Sequence, residues 1–111
     1  MPDTVALVAH DPETRAHLSG YLAEAGFRVR DPADASQAVW VIEKDQNLDA
    51  VASEIVPWLG AHEARHAVII TWRPTTMRVA IGMVEARLSI LIAPVFPWQL
   101  VDALRQREGE P

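Results

Sequence analysis

Short apolar runs alternate with longer stretches in which apolar residues recur every three or four positions. Thr4–Ala9 (TVALVA) is continuous, rich in β-branched residues and too short for a helix, so it predicts a strand buried on both faces. Asp11-Pro12-Glu13 follows, with an N-capping aspartate, a proline suited to the first helical position and an acid at the positive helix end. Leu18, Leu22 and Ala25 then recur at helical spacing and Gly26 supplies a stop, which predicts a helix over 12–25. FRVR at 27–30 alternates as a short second strand.

Asp34 and Gln37 have the spacing of a capping box, and Ala38, Val39 and Ile42 make a stripe. Together they predict a second helix, carrying Trp40 and Lys44 and ending at Asp45-Gln46-Asn47. Leu48–Ser53 (LDAVAS) is expected as a third strand, and 57–65 as a stunted helix weakened by Gly60. AVIIT at 67–71 is the fourth strand. Thr75 or Thr76 caps the next helix, with a stripe of Val79, Ala80, Met83 and Val84. LSILIA at 88–93 is the fifth strand, and Pro97 opens a last helix with Leu100, Val101 and Leu104 on its inner face. Strands alternating with helices of this length imply right-handed crossovers and a parallel α/β sheet.

The chain has 111 residues, half of them hydrophobic, enough for one domain over 1–111 with a tail or linker from about 106. It has no cysteine, which excludes disulfides and thiolate metal sites. The net charge of −5 argues against a broad nucleic-acid surface, and no apolar run reaches the ~18 residues of a membrane span. A cytoplasmic domain is expected. The cations are nine arginines and one lysine, Lys44.

In an open parallel sheet, ligands bind beyond the carboxyl ends of the strands. Those ends read Ala9-His10-Asp11, Asp31-Pro32, Ser53-Glu54, Thr71-Trp72 and Ala93-Pro94, a set poor in reactive groups. His62-Glu63-Ala64-Arg65-His66 fits the H-E-x-x-H zinc pattern, but it is short, lies beside Gly60, runs into a strand and has no third ligand at a suitable spacing. It is read as a chance match.

The stretches VALVAHDPETR, LDAVASEIVPWLG, AVIITW and ILIAPVFPWQL, in this order, resemble a response-regulator receiver domain. The resemblance implies a (βα)5 flavodoxin-like fold, with a five-stranded parallel sheet of order 2-1-3-4-5 and helices on both faces. It also implies a cis peptide before Pro94. A working receiver needs an acidic pair after the first strand for Mg²⁺, an acceptor aspartate after the third, a Ser/Thr on the fourth and a lysine after the fifth. Here the acidic pair aligns with Ala9 and His10, and the lysine with Ala93. The acceptor aligns with Ser53 when Pro57 sets the register, or with Glu54 when Asp49 does. Thr71 alone is retained, and the aromatic switch position aligns with Ile90. Without clustered carboxylates or an ammonium, the charge of a transferring phosphoryl group has nothing to neutralise it.

The resemblance is therefore to a pseudo-receiver: a non-enzymatic, phosphorylation-independent regulatory module of two-component signalling, with no Mg²⁺ cofactor expected. Its expected working surface is the face of the fourth helix, fifth strand and last helix, centred on Met77, Arg78, Ile81, Trp98 and Gln99. Arg73, Arg87, Arg105 and Arg107 are placed around it, and Trp58, Trp72 and Trp98 in loops beyond strand ends. Expected partners are another protein, a flanking kinase or output domain, or a second copy through that face. The alternative is ligand sensing, in which Trp72, Arg73, Arg78 and Trp98 hold a cyclic dinucleotide such as c-di-GMP, since arginines pair with phosphates and exposed aromatics stack on bases.

Overall fold

The computed structural model describes residues 4–82 and 87–109, with the side chains of 106–109 excepted. The strands are β1 (Thr4–Ala9), β2 (Arg28–Val29), β3 (Gln37–Val41), β4 (His66–Thr71) and β5 (Leu88–Ile92). All pairs are parallel and the order is β2-β1-β3-β4-β5, the expected sheet. The helices are α1 (Pro12–Glu24), α2 (Leu48–Ala61), α3 (Pro74–Ile81) and α4 (Pro97–Gly109). Residues 106–109, expected as tail, continue α4, while Met83 and Val84 of the expected stripe lie outside the described residues.

Side chains alternate across the central strands, and both faces are apolar. Ala38, Trp40 and Ile42, with Ala67 and Ile69, face α2 and α3 through Ile55, Leu59, Met77 and Ile81. Val39, Val68 and Ile70 face α1 and α4 through Leu18, Leu22, Leu100 and Leu104. A strand covered on both sides shows no polar alternation, which is why the β4 run was legible.

The middle of the chain differs from expectation. Residues 37–41 form β3, not a helix, and they pair with β1 and β4 at once. The stripe of Ala38, Val39 and Ile42 was no helical face; Val39, Trp40 and Val41 are strand formers in the centre of the sheet, the first two buried and Val41 half-buried. Leu48–Ser53, expected as a strand, is the start of α2. Alanine favours helix, and Asn47 caps it, its Oδ1 accepting from the amides of Asp49 (2.9 Å) and Ala50 (3.2 Å). The helix continues through Pro57 to Ala61 and absorbs the expected stunted segment.

The consequence is one helix fewer than expected. Between β2 and β3 there is only a 3-10 turn, Pro32–Asp34. Two tryptophans fill the space beside it. Trp40 on β3 and Trp58 on α2 meet edge to face, with ring centroids 5.4 Å apart at 71°. Trp58 Nε1 donates to the Pro32 carbonyl at 2.6 Å. The buried Arg65 guanidinium lies 4.8 Å from the Trp58 ring and donates to the carbonyls of Ala33 and Trp58, each at 3.0 Å. Arg87 donates to the carbonyls of Leu59, His62 and Arg65, closing the carboxyl end of α2.

Trp58→Ala is expected to cost about 3–5 kcal/mol of unfolding free energy, as large-to-small core truncations do. Trp58→Phe keeps most of the packing and removes the indole hydrogen bond to the Pro32 carbonyl, at a cost of roughly 1 kcal/mol. Urea denaturation of both variants checks the ranking.

Candidate functional site

The carboxyl ends of β1, β3, β4 and β5 open into one groove of about 960 Å³. Its floor is apolar: Val41, Ile42, Ile70, Ala93, Pro94 and Val95 line it, with Leu18 of α1. Its rim carries Asp11, Glu13, Glu43, Lys44, Asp45 and Trp72.

Each strand end is positioned by local chemistry. Asp11 caps α1, its carboxylate accepting from the Thr14 hydroxyl (2.6 Å) and amide (3.2 Å). Those two hydrogen bonds, the hydroxyl first, hold its carboxyl below the ordinary value of 3.8. Ala9 and His10 precede it, and the Ala9 carbonyl accepts from Arg15 Nη1 at 3.5 Å. Thr71 is buried and its Oγ1 accepts from the Arg73 amide at 3.1 Å, so this retained hydroxyl serves strand and turn. The Ala93-Pro94 peptide is cis, as the resemblance implied.

Two expected acceptor positions are displaced. Ser53 and Glu54 are exposed residues of α2, and Ser53 Oγ donates to the Asp49 carbonyl at 2.9 Å. The third strand instead ends at Val41, in register with Ala9 and Ile70, followed by buried Ile42 and exposed Glu43 and Asp45. Lys44, expected on a helix, also stands here, in the turn beyond β3. Its Nζ lies 4.3 Å from the centre of the Trp72 ring. The sequence held a signal for this, since Glu43-Lys44-Asp45 directly follows an apolar run; assigning that run to a helix concealed it.

The residues expected on the outer face divide by exposure. Trp98 is 60% exposed, and Arg73 and Arg78 are exposed. Met77 and Ile81 are buried in the core beneath α3 and leave the face. Gln99, in the first turn of α4, folds back on the preceding loop, its Oε1 accepting from the Phe96 amide at 2.7 Å. Reasoning from sequence missed Ile92 (66% exposed) and Phe96 (67% exposed). Trp98 belongs to the first turn of α4 and buried Trp58 to α2, not to loops. Arg105 donates to the Ala25 carbonyl at 2.9 Å, and the Arg107 side chain lies outside the described residues.

The H-E-x-x-H pattern is not on a helix. His62 ends α2, while His66 is a buried residue of β4. His66 Nδ1–H donates to Gln37 Oε1 at 2.8 Å, and Nε2 shares a hydrogen bond with Ser89 Oγ at 2.9 Å. Gln37, expected in a capping box, joins this network and donates from Nε2 to the Leu104 carbonyl at 3.4 Å. Among the described residues no three His, Asp or Glu side chains converge as a metal site, and no helix is long and apolar enough to cross a membrane.

No family model matches the chain, and no curated protein does. Solved structures do. A CheY-like protein (TadZ) from Pseudomonas aeruginosa superposes with a TM-score of 0.70 at 16% identity, over 95% of this chain and 98% of that one. A response-regulator receiver protein from Sinorhizobium medicae gives 0.71 at 19%, over 94% and 92%. A putative pilus assembly protein (CpaE) from Burkholderia thailandensis gives 0.69 at 16%, over 96% and 98%. The chain has the CheY-like receiver fold.

Asp11 stabilises the fold while ionised. Its lowered carboxyl value means that this contribution is complete above the ordinary carboxylate range and fades as pH falls through the lowered value. Asp11→Ala is therefore expected to melt below the parent at pH 7, with the gap closing in strong acid. Thermal melts across pH check this, and a gap that widens in acid would count against the cap.

Proposed function

We propose that this domain is a phosphorylation-independent pseudo-receiver, a regulatory interaction module that performs no chemical step. One observation supports this most strongly. The positions where the receiver resemblance places acids and a lysine hold Ala9, His10 and Ala93, and the third strand ends in Val41 and Ile42. Mg²⁺ prefers clustered carboxylate oxygens, and the rim carboxylates do not converge on one. Lys44 is spent on the Trp72 ring. Acyl-phosphate formation needs both charges close to the acceptor.

The partner surface is the outer face of α3, β5 and α4. Ile92, Phe96 and Trp98 stand exposed near the carboxyl end of β5, and Val79 on α3 is 76% exposed. Tryptophan is enriched among residues that dominate binding energy. The receiver fold favours a partner within two-component signalling: another protein, a flanking kinase or output domain, or a second copy of this chain. The likeness to a putative pilus assembly protein adds assembly machinery to that range. The c-di-GMP reading has a narrower basis, because Lys44 covers the Trp72 ring on which a base would stack.

Incubation with acetyl phosphate and Mg²⁺ tests the proposal. Intact mass is expected to stay unchanged, and a stoichiometric acyl-phosphate on Asp45 or any other carboxylate would overturn it.

A further inference from the structure

The groove at the strand ends has no role in the interaction just proposed, yet its construction is specific. The floor offers Val41, Ile70 and Val95 to an aliphatic stem. The rim carries carboxylates from α1 and from the turn beyond β3, against one ammonium. That ammonium is not directed at an anion; it lies 4.3 Å from the centre of the Trp72 ring, and that ring is 43% exposed. The chain's own lysine thus occupies an aromatic cation site inside an acidic groove.

We infer that this groove receives an arginine side chain of a partner protein, whose guanidinium replaces Lys44 on Trp72. A guanidinium suits the place better than the lysine does. It is planar, stacks on an aromatic face, is more weakly hydrated and meets carboxylates with two parallel hydrogen bonds. Its three-carbon stem packs on the apolar floor while the charged head stays at the rim. An anionic ligand would face Asp11, Glu13, Glu43 and Asp45 instead. The loop following β5 separates this site from the outer face, with Val95 and Pro97 lining the groove and Phe96 and Trp98 exposed. The inference therefore stands apart from the outer-face reading.

The probe is a blocked peptide carrying one arginine, titrated into ¹⁵N-labelled protein while the Trp72 indole resonance is followed. A twin peptide with neutral citrulline in place of arginine is the control. The arginine peptide is expected to give saturable shifts at Trp72 and at the 43–45 amides, and the citrulline peptide none. Lys44→Ala removes the competing cation and is expected to tighten binding about two- to fivefold, the scale of an exposed cation–π contact. Trp72→Leu is expected to abolish it. Equal shifts from citrulline, unchanged or weakened binding in Lys44→Ala, inorganic phosphate binding in place of arginine, or no saturation up to roughly 10 mM would each overturn the inference.

Discussion

The contact between the β2–β3 turn and the end of α2 holds the rest of this structure in place. A parallel sheet whose central strands are apolar on both faces must be covered on both faces. Here the chain passes from β2 to β3 through one 3-10 turn, too short to cover what a helix would. Trp40 and Trp58 supply the missing bulk, and Trp58 Nε1 and Arg65 satisfy the turn's carbonyls at Pro32 and Ala33. These hydrogen bonds fix the exposed turn against the helix. The same few side chains therefore close the core and tie the turn to α2, whose amino end follows directly from the strand-end turn at Glu43–Asp45.

That substitution also explains what was legible in the sequence. β1, β4 and β5 announced themselves as short β-branched runs, and Asp11-Pro12-Glu13 marked the start of α1, because these signals are local. The segment 34–61 depended on tertiary context. An Ala-Val-Trp-Val strand in the middle of a sheet and an Ala-rich amphipathic helix share apolar composition, and only burial on both faces separates them. The expectation of a full helix between β2 and β3 then pushed the third strand to 48–53, where α2 begins. It set the acceptor position at Ser53 or Glu54, two residues on a helix, and took Lys44 away from the strand ends. The cis Ala93-Pro94 bond and the strand order, both implied by the resemblance, hold although the third strand lies at 37–41 and not at 48–53.

The corrected strand ends sharpen the functional picture. The groove is not empty of charge: it has carboxylates on its rim and a lysine held on a tryptophan. What it lacks is convergence on one point, which phosphoryl chemistry needs and cation recognition does not. Outside the groove, Ile92, Phe96 and Trp98 are exposed apolar side chains at the end of β5 and the start of α4. Thr71 is buried at the end of β4, and its Oγ1 accepts from the Arg73 amide.

The central claim is that this domain works without phosphorylation, so its outer face needs no second conformation. ¹⁵N relaxation dispersion across α3, β5 and α4 tests it most directly, since this measurement detects minor states exchanging on the μs–ms scale. Flat profiles from Trp72 through Gly82 and from Leu88 through Leu104 are expected. A shared exchange process linking Thr71, Ile90 and Trp98 would reveal a two-state switch and contradict the account.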